Sequence, residues 1–288
     1  MIEFFLLPPF VPFLITEGKI RFLTGFEFIL SLALHYGTFI LVPPISILLY
    51  RTRQQPWKVL LEVTTEPTVI SVYVFTSLTA LSAITINILF GLTLAWVLVR
   101  YEFVGKKILD AAVDLPFALP TSVGGLTLMT VSRDEVWVRP FCSWLGIEIV
   151  FGPLAVLIAM TFASLPLVVR TIQPVLQDME GDLEEAARCL GASTWTTFQY
   201  VLFPSLIPSL SAGTTLGFSR ALGEYGSIVL VASNIPAKDL VISVLLFQRL
   251  EQYDYRSAIT IAGFVLVISF SALFLINKIQ SWGKKFSG

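Results

Sequence analysis

Charged residues are scarce in this sequence of 288 residues. Asp, Glu, Lys and Arg together make up 14% of it, whereas hydrophobic residues make up 55%. A soluble domain of this size normally has charged side chains at about a quarter of its positions. The mean hydropathy of +0.81 points in the same direction. These values exclude a soluble enzyme and a disordered chain, and they indicate a membrane protein.

The groups that bind nucleic acid or metal are also lacking. Nineteen Lys and Arg against twenty Asp and Glu leave no basic excess to neutralise phosphates, so we expect no nucleic-acid partner. Two cysteines are too few for a disulfide framework or a cysteine-rich metal site. The single histidine, His35, lies in an apolar run without clustered Asp, Glu or Cys, so we expect it to be packed or hydrogen-bonded. We therefore expect neither a metal nor a cofactor.

The sequence contains no nucleotide-binding P-loop. Lys follows Gly at Gly18, Gly105 and Gly283, but none of these pairs continues to Ser or Thr as a P-loop requires. The apolar segments also lack a polar cluster of the kind that catalysis needs. We therefore expect no catalytic residues and no ATP hydrolysis by this chain alone.

Long uncharged runs predict six membrane-spanning helices. A helix needs about 20 apolar residues, at about 1.5 Å each, to cross the hydrocarbon core. Since no alternation typical of barrel strands is visible, we expect an all-α membrane protein whose first partner is the lipid bilayer. The predicted spans are residues 28–50, 74–99, 109–130, 149–169, 206–231 and 257–277.

The spans divide the chain into three predicted segments. Residues 1–27 are expected to form an N-terminal interfacial segment, 28–277 the transmembrane domain, and 278–288 a short C-terminal tail. Six spans place both termini on one side, and a small excess of Lys and Arg there favours the cytoplasmic or stromal side. Cys142 and Cys189 then fall on opposite sides, so we expect no disulfide between them.

The connection between the fourth and fifth spans, residues 170–205, is too long for a simple turn and has a helical pattern of its own. Asp182 is a predicted N-cap, with Glu185 three residues later as in a capping box. Gly191 is placed to end this helix as a C-terminal cap.

A second short helix is predicted to follow in the same loop. Ser193 or Thr194 can cap its start, and it should run to Phe203, where Pro204 is expected to close it. The two helices would lie at the membrane surface. From these residues alone, the pair could either pack on its own bundle or dock a partner.

The spacing in this loop resembles the EAA signature of ABC-importer permeases, which reads Glu-Ala-Ala, three residues, Gly, nine residues, Ile, one residue, Leu-Pro. Val and Phe replace Ile and Leu here, which keeps the apolar character. In that family the loop is the coupling helix that seats in a groove of the ATPase subunit, so the resemblance implies a type I ABC-importer permease bundle of six helices. The matching residues are Glu185, Ala186, Ala187, Gly191, Val201, Phe203 and Pro204.

Three further stretches resemble one branch of that family. Residues 115–128 (LPFALPTSVGGLTL) and 217–233 (GFSRALGEYGSIVLVAS) look like sulfate and molybdate permeases, and residues 235–255 look more narrowly like a permease of sulfate/thiosulfate importers. Copies encoded in the plastid genomes of some green algae are similar. With no transit peptide visible, we expect a plastid envelope membrane or a bacterial inner membrane.

The resemblance also implies partners. They are two ATPase subunits, a second homologous permease subunit and an external sulfate-binding protein, with this chain forming half of the translocation pore. Molybdate or tungstate is an alternative cargo within the family. A secondary anion transporter is an alternative outside it, but it predicts internal inverted repeats and none is visible. A scaffold or channel would leave the spaced Glu185–Gly191 signature unexplained.

Polar residues within the third and fifth spans are candidates for the pore or gate. Thr121 and Ser122 follow Pro120, where we expect a kink, and they could satisfy freed backbone groups or face water. Arg220 and Glu224 lie four residues apart and so share one helix face. A charge near the bilayer centre persists when it is paired, faces protein or lines water. Both a structural ion pair and a place on the anion path therefore stay open.

Overall fold

A computed structural model describes residues 13–16, 19–22, 25–133, 149–179 and 181–284. Their regular secondary structure is helical apart from one antiparallel hairpin, in which β1 (Phe13–Thr16) pairs with β2 (Lys19–Phe22). The helices are α1 (Gly25–Arg53), α2 (Trp57–Thr64), α3 (Pro67–Arg100), α4 (Lys106–Val113), α5 (Leu115–Ala118), α6 (Thr121–Arg133), α7 (Pro153–Asp178), α8 (Gly181–Cys189), α9 (Thr194–Thr197), α10 (Phe203–Leu222), α11 (Ile228–Val231), α12 (Ile242–Glu251) and α13 (Tyr255–Lys284), with a π-helical turn at Phe198–Leu202.

Within the described part of the chain, four helices are long and apolar enough to cross a membrane, and two shorter apolar helices accompany them. Each of the six corresponds to one predicted span, which confirms an all-α membrane bundle. The long helices are Ile29–Arg53, Pro67–Arg100, Pro153–Asp178 and Thr194–Leu222, and the short ones are Thr121–Val131 and Tyr255–Ser271.

The chain divides into two compact units, residues 1–60 and 61–288. The first unit holds the hairpin and α1, in which His35 Nδ1 lies 2.8 Å from the carbonyl oxygen of Ser31. The histidine is therefore hydrogen-bonded, as predicted. The apolar start of the predicted interfacial segment lies outside the described residues, and its second half contains the hairpin.

The core of the second unit is formed by α3, α7 and α10, which pack together along their lengths. Small residues lie at their contacts, among them the fully buried Ala80 and Ala83 on α3 and Ala155 on α7. Lipid is as apolar as the side chains, so helices in a bilayer associate through close backbone packing rather than through removal of apolar surface from water. Many large apolar side chains accordingly remain exposed, among them Leu78, Leu89 and Phe90 on α3, while others such as Met160 and Ile172 are buried.

Gly213 and Gly217 lie where α10 crosses the other two core helices. A Cβ atom at Gly213 would lie 3.1 Å from the Cα of Val168, and one at Gly217 would lie 2.5 Å from Cδ1 of Ile84. The G-x-x-x-G spacing is thus a close helix contact. Because Ile84 is near the middle of α3, Gly217 lies near the middle of the membrane.

The prediction of one kinked helix for the third span was wrong. Residues 109–130 are divided among α4, α5 and α6. Leu115 begins a four-residue helix with Pro116 in its first turn, and Leu119 adopts an extended conformation before Pro120. Proline disfavours the helical conformation at the preceding residue and lacks an N–H group, so the expected kink is a complete break.

The prediction of residues 206–231 for the fifth span was wrong at both ends. The helix begins at Thr194, continues through the π turn into α10 and ends at Leu222, before α11 starts at Ile228. At the other end of the chain, α13 extends to Lys284, past the predicted span end at residue 277.

Pro204 lies in the first turn of α10 and does not close a short helix, contrary to the prediction. A proline ring clashes with the carbonyl group four residues earlier, here that of Tyr200. The preceding turn is widened into a π turn, in which the N–H of Phe203 donates to the carbonyl oxygen of Phe198. This wider turn lets the helix pass the proline without ending.

The breaks in the third and fifth spans meet where α6 packs against α11. A Cβ atom at Gly125 would lie 2.7 Å from both the Cα and the carbonyl oxygen of Ser227. Backbone atoms cannot move aside as a flexible side chain can, so only glycine fits at this position.

We predict that Gly125→Ala destabilises the folded protein by about 1–3 kcal/mol, as overpacking typically does. The thermal midpoint of the purified protein in detergent measures the effect. Gly37→Ala is the matched control, because Gly37 is also helical but has open space around its Cβ position. Both changes raise helix propensity equally. Equal midpoints for the two variants would contradict the close contact.

Candidate functional site

The Glu-Ala-Ala signature lies in α8, which runs along one end of the bundle. The helix begins at Gly181, so Asp182 is in its first turn and not at the predicted N-cap. Glu185 and Ala186 are exposed to solvent. Cys189, at the end of α8, is a free exposed thiol, whereas Cys142 lies outside the described residues.

Gly191 ends α8 in a Schellman motif. Its φ of +82° lies in the left-handed region, as expected for a C-terminal cap glycine. The N–H of Ala192 donates to the carbonyl oxygen of Ala187 at 3.0 Å, and the N–H of Gly191 donates to that of Arg188 at 2.9 Å. The interval between Ala187 and Gly191 in the signature is therefore the interval that this cap requires.

Ser193 begins the second helix of the loop, as predicted. Its Oγ accepts a hydrogen bond from the N–H of Thr196 at 3.2 Å. The helix then passes without interruption into α10, so the surface segment and the membrane helix are one element. Val201, in the π turn, and Phe203 and Pro204, in the first turn of α10, are half-buried and belong to this junction rather than to the exposed surface.

Large apolar side chains project from the loop into solvent. Leu190 is 89% exposed, and Trp195 and Tyr200 are also mostly exposed. Contiguous apolar side chains on a water-facing surface usually mark a site of protein interaction. We refer to Glu185, Leu190, Trp195 and Tyr200 as the loop surface.

The structure brings Arg220 and Glu224 into contact, although Glu224 lies beyond the end of α10. Nη1 of Arg220 is 2.6 Å from Oε2 of Glu224. The glutamate side chain is 1% exposed, whereas that of the arginine is 31% exposed. Arg220 follows Gly217 by less than one turn, so it lies close to the membrane centre.

Glu224 also satisfies the backbone at the break in the fifth span. Its Oε1 accepts hydrogen bonds from the N–H of Ser227 at 3.1 Å and from the Ser227 hydroxyl at 2.8 Å. The hydroxyl of Ser243 donates to the backbone oxygen of Glu224 at 2.6 Å. Both carboxylate oxygens are thus engaged, one by the start of α11 and the other by Arg220.

Thr121 and Ser122, at the start of α6, lie against Gly226 in the same break. A Cβ atom at Gly226 would clash with Oγ1 of Thr121 and would lie 3.2 Å from the backbone nitrogen of Ser122. The four predicted pore residues therefore lie around one junction of two broken helices. A cavity of only about 10 Å³ lies beside it, lined in part by Thr121 and Ser227. Passage of an oxyanion here would require the two breaks to separate.

Sequence reasoning missed a second charged network, centred on Arg170 in α7. Its Nε and Nη2 donate to the two carboxylate oxygens of Asp114 at 2.8 and 2.6 Å. Its Nη1 donates to Asp110 and to Gln173, each at 2.6 Å. This network links α4 to α7. In the sequence, the four-residue spacing of the two aspartates was the pattern that could have indicated it.

Sequence reasoning also missed Asn87, which is fully buried in α3. Its side-chain amide donates to the carbonyl oxygen of Thr161 at 2.9 Å and to the hydroxyl of Ser164 at 2.8 Å. Hydrogen bonds of this kind hold helices together within a bilayer. A single Asn within an apolar run was the available signal.

The broken helices around a buried charge and the surface helix pair define a multi-pass membrane permease. A solved bacterial ABC transporter involved in the import of the acidic polysaccharide alginate has the same fold, with a TM-score of 0.68 and 16% identity over 88% of this chain and 93% of that chain.

Residues 87–281 match the family described as binding-protein-dependent transport system inner membrane component, and the chain belongs to this family. It is accordingly a membrane subunit of an ABC transport system that works with other subunits. A relative from Marchantia polymorpha, named probable sulfate transport system permease protein cysT, is 72% identical over 99% of both chains. The sulfate transport system permease protein CysT of Synechocystis is 51% identical over 88% of both chains.

We predict that Gly191→Ala strains the cap of α8, because a left-handed conformation costs a residue with a Cβ atom about 1–2 kcal/mol. The amide of Ala192 should then exchange its hydrogen about fivefold to thirtyfold faster, as mass spectrometry of the exchanged protein would show. Gly181→Ala is the control, since both glycines have open space but only Gly191 has a positive φ. Equal exchange at Ala192 in the two variants would contradict the role of the cap.

Proposed function

We propose that this chain is the membrane permease subunit of an ATP-driven importer for sulfate or thiosulfate and forms half of its translocation pore. The observation that carries the proposal is that Trp195 and Tyr200 of the loop surface lie on the same continuous helix as the membrane segment, whose far end holds a buried charge. Similarity over almost the full length to relatives named as sulfate permeases supports the choice of anion.

The loop surface is proposed to dock an ATPase subunit. Its apolar side chains would bury against a groove, while Glu185 offers a charge to a basic or donor-lined wall. Because α9, the π turn and α10 form one helix, displacement of the docked surface would move the membrane helix as a rigid body. ATP hydrolysis would occur in the partner, so this chain is not itself an enzyme.

The remaining partners follow from the same proposal. They are a second, homologous permease subunit, two ATPase subunits in total, and an external sulfate-binding protein. We place the chain in a plastid envelope or a bacterial inner membrane, with both termini on the stromal or cytoplasmic side. The division at residues 27 and 277 into interfacial segment, transmembrane domain and tail is part of this proposal.

The whole proposal is tested by uptake of radiolabelled sulfate into membrane vesicles with and without this chain. We expect uptake that depends on the chain and on ATP, that excess thiosulfate suppresses and that molybdate leaves largely unchanged. Stronger competition by molybdate would identify a molybdate or tungstate permease. Uptake without ATP, or a purified chain that brings no ATPase with it, would instead indicate a secondary anion transporter.

Arg220 is proposed to meet the anion on its path. Both oxygens of Glu224 are engaged and its side chain is buried, whereas the side chain of Arg220 is 31% exposed. A partly exposed cation near the membrane centre can attract a dianion, and the buried carboxylate beside it limits how tightly the anion is held. Thr121 and Ser122 lie across the same junction and offer hydroxyl groups to the anion as it passes.

We predict that Arg220→Gln lowers sulfate flux about tenfold or more at equal abundance, because a charge-assisted hydrogen bond to the anion is lost. Arg256→Gln removes the same charge from an exposed position at the start of α13 and should leave flux unchanged. Glu224→Gln should also assemble, since an amide oxygen can still accept from Ser227. Full flux in the double variant Arg220→Gln, Glu224→Gln would show that the pair is only a structural link.

A further inference from the structure

Two neighbouring glutamates of α8 face in opposite directions. Glu185 is exposed, whereas the side chain of Glu184 is only 16% exposed. Successive residues of an α-helix are about 100° apart around its axis, so one of them can face a docked partner while the other faces the bundle. The docking role proposed for Glu185 therefore does not explain Glu184.

Glu184 forms an ion pair with Arg100, the last residue of α3. Its Oε1 lies 2.6 Å from Nη2 of Arg100, and its Oε2 lies 3.6 Å from Nη2 of Arg188. The contact with Arg100 lacks the angles of a hydrogen bond, so it is held by charge. Both side chains are largely covered, and water therefore screens their attraction less than it screens an exposed pair.

Aromatic side chains join the loop to the same turn of α3. The guanidinium carbon of Arg100 lies 5.4 Å from the ring centre of Trp96, and the rings of Trp96 and Phe198, which is in the π turn, pack edge to face with their centres 5.6 Å apart. Phe198 also stacks on Trp195 of the loop surface at 5.7 Å. The C-terminal end of α3, at Trp96 and Arg100, is thus held to both helices of the loop, by charge to α8 and by aromatic packing to α9.

The helix α3 is suited to carry a displacement through the membrane. It has no proline after its first residue, whereas α7 contains Pro166 and Pro174 and α10 contains Pro208. A second ion pair holds the N-terminal end of α3. There, Nη2 of Arg249 in α12 donates to both carboxylate oxygens of Glu66, at 2.9 and 2.8 Å. An unbroken helix with a charged contact at each end moves both contacts together.

We infer that Glu184 and Arg100 are positioning residues that transmit movement of α8 to α3, and through α3 to α12 on the opposite side of the membrane. The inference rests on the proposed function, in which an ATPase moves α8. It adds that docking and transmission use different glutamates, Glu185 for the first and Glu184 for the second.

The test uses the full complex with its ATPase subunits and sulfate-binding protein, reconstituted in liposomes. Three quantities are measured: ATPase copurified per permease, the rate of ATP hydrolysis, and sulfate taken up per ATP hydrolysed. In Glu184→Gln and in Arg100→Gln we expect normal copurification and a fall of about twofold to thirtyfold in sulfate per ATP, the range typical of lost coupling contacts. The charge swap Arg100→Glu, Glu184→Arg should restore the ratio.

Two control variants separate transmission from docking and from the loss of any ion pair. Glu185→Lys should lose the copurified ATPase itself. Glu102→Gln removes the glutamate of an exposed pair with Lys106 within one short segment, at 2.6 Å, and should leave the ratio unchanged.

Three results would overturn the inference: an unchanged ratio in Glu184→Gln and Arg100→Gln, loss of copurified ATPase in these variants as in Glu185→Lys, or a charge swap that assembles without restoring the ratio. Absence of any copurified ATPase from the unaltered complex would instead refute the proposed function itself.

Discussion

The structure depends on one constraint, which is that backbone groups within a bilayer find no water to bond with. A long helix pairs these groups through its own hydrogen bonds. A helix that ends within the membrane leaves N–H and C=O groups unpaired. The break between Leu222 and Ile228 is therefore surrounded by polar partners, and Glu224, Ser227 and Ser243 all bond there. A cluster of polar groups within the membrane region thus lies where the backbone is interrupted.

The same constraint explains why the two breaks lie together. Each interrupted helix needs a polar and closely packed neighbour, and the other break provides one. Gly125 and Gly226 bring the backbones close enough for this contact. A junction of two helix ends can change shape with fewer lost hydrogen bonds than a continuous helix.

Much of the architecture could be predicted from the sequence, because apolar length and cap spacing are local properties. The spans appeared as uncharged runs, Gly191 was identified correctly as a cap from its spacing, and Ser193 was one of two candidates for the next cap. Pro204 was misjudged because a proline usually ends a helix, and a single sequence does not show that the preceding turn widens. The break after Leu222 was missed because Gly223 carries no proline-like signal.

The long-range contacts could not be predicted for a different reason. Arg170 reaches Asp110 and Asp114 across about 60 positions of sequence, and the link from Arg100 to Glu184 spans more still. In the sequence, Arg100, Asp114 and Arg170 only marked the ends of uncharged runs. The contacts depend on how the helices are arranged in space, and no local pattern records that arrangement.

The π turn at Phe198–Leu202 sets the rotation of the loop's second helix about its axis relative to the membrane helix that follows it. Each residue of an α-helix advances the side-chain direction by about 100°, and a π turn contains close to one residue more than an α turn. The extra residue sets the phase between α9, which directs Trp195 outward and Thr197 inward, and α10, which directs Gly213 and Gly217 into the bundle. The interval from Gly191 to Pro204 therefore fixes a rotation as well as a distance, and a chain shortened by one residue there would present a different face to whatever binds the loop.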